Sequence, residues 1–141
     1  AARPVRRQPL RVAVGYGGLW LGLDEGHVGT LAVSPEARGH GVAEAIMLAL
    51  IACARANECE LVLLEYRVSN APAEALYAKL GFQRNRIRRQ YYPDNKEDAV
   101  EAILPDVQAE QFAVRMVQWV TLWEQRRGQP FPWPEWSDDE A

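Results

Sequence analysis

The stretch Leu31-Ala32-Val33-Ser34-Pro35-Glu36-Ala37-Arg38-Gly39-His40-Gly41-Val42-Ala43 decides how the chain is read. Leu31 to Val33 ends an apolar, extended run that begins at His27, and Pro35 stops it. Two glycines then flank His40 before a helical pattern sets in. The result is a strand, a tight turn and a helix N-terminus. Glycines in such a turn let the backbone approach a ligand, while free N–H groups and the helix dipole favour an anion. Arg38 adds positive charge, and a pyrophosphate would fit. The same residues also serve a strand-to-helix loop that uses glycine for geometry alone.

Working outward, a helix is expected from about Glu36 or Gly39 to Ala56. Ala43, Ile46, Met47, Leu50, Ile51 and Ala54 fall on one helical face. Leu61 to Tyr66 reads as a short apolar strand. Asn70 is a good N-cap, Pro72 suits a first turn and Gly81 suits the position after a helix, which predicts a helix from Ala71 to Leu80. Phe82 to Tyr92 reads as a strand that alternates Arg84, Arg86 and Arg88 onto one face. A turn over Pro93 to Asp98 leads to a strand at Ala99 to Leu104. A second long helix follows, from about Asp106 to Arg126, with Phe112, Met116, Trp119, Val120 and Trp123 as its apolar stripe. Toward the N-terminus, Leu10 to Leu23 reads as extended, broken at Gly15-Tyr16-Gly17-Gly18, and Asp24-Glu25-Gly26 is a turn.

This order predicts an α/β or α+β fold, a mixed sheet flanked by helices. A basic lead-in (1–9) precedes the main domain (10–104), a C-terminal amphipathic helix (105–127) and an acidic tail rich in Pro and Trp (128–141). With 141 residues and a net charge of −3, one ordinary core is expected, with no general case for nucleic acid or an anionic membrane. No apolar run approaches the roughly 20 residues that span a bilayer. Cys53 and Cys59 match no metal or redox spacing and read as reduced thiols of a cytoplasmic compartment. His27 and His40 lack a carboxylate or Cys at ligand spacing, so no metal site is expected.

Four blocks in this order carry a resemblance. Arg38-Gly39-His40-Gly41-Val42-Ala43 is similar to the R/Q-x-x-G-x-G/A acetyl-CoA motif of the GNAT superfamily. It is followed by Leu64-Glu65-Tyr66-Arg67-Val68-Ser69-Asn70, by Ala75-Leu76-Tyr77-Ala78-Lys79-Leu80-Gly81-Phe82, and by Tyr91-Tyr92-Pro93-Asp94 with Glu97-Asp98-Ala99. The series, from about Trp20 to Leu104, resembles the RimI-type ribosomal-protein-alanine N-acetyltransferases and their eukaryotic N-terminal acetyltransferase relatives. The resemblance implies a GNAT fold, mostly antiparallel, and acetyl-CoA as cosubstrate. Backbone groups of Leu31, Ala32 and Val33 would hold the pantetheine arm and polarise the thioester carbonyl. Arg38, Gly39, His40, Gly41, Val42 and Ala43 would wrap the pyrophosphate, and Asn70 would contact the cosubstrate. Glu65 matches the general base and Tyr77 the general acid, while Tyr91 and Tyr92 match the loop that shapes the peptide slot.

Other readings stand beside these. Glu65 could pair with Arg67 or another arginine, and Tyr77 on a helix could simply pack. His27 could act as a second base or water relay, although a satisfied strand histidine is the more ordinary role. The arginines near residues 84–89 could dock an acidic surface or form a solvated face. Relatives begin with a strand and two helices ahead of the segment that starts here near Leu10, so the fold is expected to be N-terminally incomplete. The expected activity is acetyl transfer to the N-terminal α-amine of a protein or peptide, an acceptor that also allows ribosome association. The alternatives are a truncated domain that binds acetyl-CoA without turnover, or acetylation of lysine or a small amine.

Overall fold

A computed structural model describes residues 13–134 of the chain. The basic lead-in and Trp136 lie outside the described residues. Five strands form one sheet: β1 (Gly15–Leu21), β2 (Glu25–Val33), β3 (Leu61–Arg67), β4 (Gln83–Arg88) and β5 (Ala99–Leu104), in the order β1-β2-β3-β5-β4. Only β2 and β3 run parallel. Three α-helices accompany them: α1 (Val42–Ala56), α2 (Ala71–Leu80) and α3 (Glu110–Arg127).

Connection handedness explains where the helices sit. The β2-α1-β3 and β3-α2-β4 crossovers both step the same way across the sheet, so right-handed connections place both helices on one face. Val62, Leu64, Tyr66, Val100, Ala102 and Leu104 point to that face and share one buried cluster with Met47, Leu48, Ile51, Tyr77, Leu80, Phe112, Met116 and Trp123. Helix α3 thus belongs to the same core, and its stripe packs as its spacing predicts. Trp123 meets Phe131 of the following segment edge-on at 5.2 Å, while Trp133 stays half exposed. Among the described residues no helix is long and apolar enough to cross a membrane.

Several local features differ from the sequence expectation. Strand β2 already begins at Glu25, inside the expected Asp24–Gly26 turn, and α3 begins at Glu110 and not at Asp106. Helix α1 starts at Val42, because Gly39 and Gly41 adopt left-handed backbone (φ 81° and 74°), and only a 3-10 turn at Pro35–Ala37 precedes them. Strand β4 ends at Arg88 and skips register at Asn85, between Arg84 and Arg86. The three arginines therefore do not share a face: Arg84 turns to Glu74 on α2, whereas Arg86 and Arg88 turn to Glu101 on β5. Strand β2 also bulges. Its register passes from Gly18↔Thr30 to Leu19↔Val28, leaving Gly29 unpaired with β1. Trp20 packs on that glycine, where a Cβ would fall 2.8 Å from the indole Nε1.

Candidate active site

The parallel pairing of β2 with β3 lasts only three residue pairs, Glu25↔Leu61 to His27↔Leu63. Beyond the Gly29 bulge the two strands part, although β2 continues to Val33 and β3 to Arg67. Backbone groups of β2 there have no β3 partner. A cleft of about 180 Å³ occupies the gap, lined by Gly29, Thr30 and Leu31 on one side and by Glu65, Tyr66 and Arg67 on the other, with Tyr92 at its rim.

A larger cleft, about 770 Å³, adjoins it at the N-terminus of α1. Leu31, Val33, Arg38, Gly39, Gly41, Val42 and Ala43 line it, facing Asn70 and Tyr77 of the α2 segment. Ala32 and His40 are not among its lining residues. The side chain of Ala32 alternates to the opposite face of β2, and His40 belongs to the turn through its backbone. Gly39 leaves open space where a Cβ would stand, whereas a Cβ on Gly41 would fall 2.7 Å from Arg127 Nε and 2.8 Å from Trp123 Nε1. Gly41 is thus required by packing as well as by its positive φ.

The two clefts meet at Leu31, Asn70, Ala73 and Tyr77. The side chain of Asn70 accepts from Ala73 N at 3.2 Å, capping α2 and leaving its amide N–H₂ group for the cleft. Tyr77 is buried between Tyr66 (5.5 Å) and Phe82 (5.8 Å). Burial first, and then the neighbouring phenols of Tyr92 and Tyr66, push its pKa above the ordinary tyrosine range. It stays a protonated phenol through the neutral range.

Glu65 lies on the face of the sheet away from the helices, with its side chain only 10% exposed. Its partner is His27, whose Nε2 stands 2.6 Å from Oε2, the ring N–H donating. Arg67 does not pair with it; that guanidinium holds Asp94, Asn95 and Glu97 of the 89–98 loop and stacks over the Tyr92 ring at 4.0 Å. The nearest arginine is Arg88, 3.9 Å away. The sequence left His27 between two roles. The structure sets it against Glu65, a contact that only the β2–β3 register reveals.

Glu65 stands directly opposite Glu101 in the β3–β5 ladder, and paired like charges would destabilise the sheet. The burden is split unevenly. Asn85, Arg86 and Arg88 all donate to Glu101. Burial pulls the Glu101 pKa up, but these hydrogen bonds outweigh it and hold the carboxyl below its usual range. Glu101 thus takes the close cation contacts, and Glu65 keeps His27, with Arg88 at 3.9 Å. Because the folded pKa of Glu101 is depressed, its stabilising contribution is complete above the unfolded value of about 4.3 and is lost as the pH falls through the folded value. Glu101→Gln should therefore lower the melting temperature near neutral pH and flatten its decline on acidification. Parallel melting curves from pH 6 to pH 3 would contradict this role.

The 89–98 loop is braced rather than loose. Arg89 pairs with Asp98, Gln90 N donates to Asp98, and Ser69 N donates to Glu97. Tyr91 and Tyr92 meet edge-on at 5.1 Å. Tyr92 faces the smaller cleft, and Tyr91 stands outside it, exposed.

Comparison with known proteins places this architecture. The sequence model of the acetyltransferase (GNAT) family matches residues 11–82, just over half of the chain. The chain belongs to the GNAT family. Among relatives of this GNAT chain, the ribosomal protein bS18-alanine N-acetyltransferase of Escherichia coli is 41% identical over 85 residues, 59% of the chain and 57% of that protein. The crystal structure of the ribosomal-protein-S18-alanine N-acetyltransferase from Escherichia coli superposes with a TM-score of 0.63 at 35% identity, covering 70% of this chain and 64% of that one. The NatC complex bound to Gag peptide and CoA gives a TM-score of 0.59 at 32% identity, covering 65% of this chain and 60% of that chain. The GNAT chain therefore spans little more than half the length of the relatives it matches.

Proposed function

We propose that this GNAT domain transfers the acetyl group of acetyl-CoA to the N-terminal α-amine of a protein or peptide. The observation that carries the reading is that two clefts meet at Tyr77 and Asn70, with Glu65 in the smaller one. The larger cleft offers what the phosphates and pantetheine arm of a CoA ester need: the N-terminus of a 15-residue helix, glycines for close approach, and Arg38. Relatives named as protein N-terminal acetyltransferases support the acceptor, and with it a place near newly made or ribosomal protein.

In this reading the amine nitrogen attacks the thioester carbonyl, the new C–N bond forms and the C–S bond breaks. Glu65 takes the amine proton, directly or through one water. His27 holds the Glu65 carboxylate in place and, with its side chain 41% exposed, offers the proton a way to solvent. Tyr77 supplies a proton to the departing thiolate. The β2 backbone that lacks a β3 partner beyond His27 lies where donors to the carbonyl oxygen are required. The residues Leu31, Val33, Gly39, Gly41, Val42 and Ala43 would cradle the cosubstrate, with Ala32 and His40 contributing through backbone alone. Tyr92 would flank the peptide, and Tyr91 would support Tyr92.

The acceptor follows from proton energetics. An α-amine has a pKa of about 7.7–8.0 against about 10.4 for lysine, so lysine costs roughly 3 kcal/mol more to deprotonate. One carboxylate suits the easier task. Peptides with a free N-terminus and no lysine should outcompete N-blocked peptides that carry lysine, with mass spectrometry locating the acetyl group. Predominant lysine acetylation would overturn the acceptor, and acetyl-CoA binding without any acetylation would overturn turnover by this chain.

A further inference from the structure

Helix α3 reaches the turn in front of α1 at three points. Trp123 donates its indole N–H to the Gly41 carbonyl at 2.9 Å. Arg127 Nη1 donates to the Gly39 carbonyl at 3.3 Å. Arg126 Nη2 lies 3.0 Å from Glu44, the buried carboxylate in the first turn of α1, which Lys79 of α2 also holds at 3.1 Å.

Each contact bears on an anion in the larger cleft. A trans peptide directs its N–H opposite to its carbonyl. The Gly41 carbonyl also accepts from Ala45 N at 3.0 Å in the first turn of α1, so Trp123 reinforces its direction, while Arg127 holds the Gly39 carbonyl. Holding both carbonyls on the α3 side keeps the N–H groups of His40 and Val42 turned away from α3, toward the cleft. This gives His40 a part that its side chain does not play. Glu44 presents the opposite problem: it lines the cleft, and an ionised carboxylate there repels a phosphate. Arg126 and Lys79 offset that charge, and Arg127 adds a second cation beside Arg38 at the turn.

Resting on the reading that this cleft takes acetyl-CoA, we propose that α3 is a working part of its phosphate site. Trp123 and Arg127 are positioning residues that aim the Gly39–Gly41 turn, and Arg126 is a positioning residue that silences Glu44. None of the three residues lines either cleft, so each acts through the Gly39–Gly41 turn or through Glu44, which sit at the anion end and not beside Glu65.

Calorimetry with acetyl-CoA and with acetyl-pantetheine, which lacks the nucleotide phosphates, separates this role from general support. Arg126→Gln and Arg127→Gln should each weaken acetyl-CoA binding about fivefold to tenfold, as expected for a cation lost beside a helix-terminus anion site. Acetyl-pantetheine affinity should match that of the unaltered protein, so the ratio of the two affinities falls. Adding Glu44→Gln to Arg126→Gln should restore acetyl-CoA affinity by removing the unmasked charge. Unchanged acetyl-CoA affinity in both single variants, equal losses for both ligands, or no restoration in the double variant would overturn the proposal. Absence of acetyl-CoA binding by the unaltered protein would overturn the functional reading itself, a separate outcome.

Discussion

Replacing Glu65 by glutamine is expected to lower kcat by about 10²–10⁴, the range for a lost general base. The substitution preserves shape, and glutamine can still accept a hydrogen bond from His27, so the fold is expected to persist. What disappears is the capacity to take a proton. Glu65 lines the smaller cleft and not the larger one, so acetyl-CoA affinity should stay near its original value. Tyr77→Phe should lower kcat as well, because the phenol is buried at the junction of the clefts, where a thiolate would leave. Rapid-quench and steady-state kinetics with a short peptide would measure both. Turnover unaltered in both variants would remove these residues from the mechanism, and so would a trapped acetyl-enzyme, since direct transfer needs none.

Ending the chain after Pro105 should leave a protein that is insoluble or unfolded. Val107, Phe112, Met116, Trp123 and Phe131 are all buried in the single core and would all be lost. At about 1.5–3 kcal/mol for each buried apolar side chain, their removal reaches roughly 10 kcal/mol. Domains of this size have a net stability of about 5–15 kcal/mol. The truncation would also bare core surface that these side chains cover, inviting association. Solubility and thermal melting of the truncated chain test this directly. A truncated protein with an unchanged melting temperature would mean that α3 is a dispensable appendage.

The sequence made α2 legible to the residue, because Asn70, Pro72 and Gly81 mark both its ends by local chemistry. The stripe of α3 was equally plain, since helical spacing alone defines it. The start of α1 was less so: the apolar pattern extends back toward Glu36, and the left-handed backbone of Gly39 and Gly41 overrides it. The arginines of β4 misled for a related reason. Alternation assumes an unbroken ladder, and the extra residue at Asn85 sends Arg84 to the other face. Glu65 and Tyr77 stood out through their neighbours in sequence. The hydrogen bond from His27 did not, because it joins positions 38 apart and depends on β2–β3 register. The grip of α3 on the Gly39–Gly41 turn was invisible for the same reason, with no motif linking Trp123 or Arg127 to glycines on a distant loop.

That grip has a bearing on how the chain is made. The contacts Trp123–Gly41 and Arg127–Gly39 span 82 and 88 residues. A ribosome delivers the Gly39–Gly41 turn well before α3, and loop-closure entropy must be met before such distant pairs form. The strands and α1 can collapse during synthesis, and Ala45 N then holds the Gly41 carbonyl, yet the contacts from Trp123 and Arg127 are made only when α3 docks. On the proposal that α3 serves the phosphate site, full acetyl-CoA affinity therefore waits until α3 docks, and a chain cut short before α3 binds the cosubstrate more weakly.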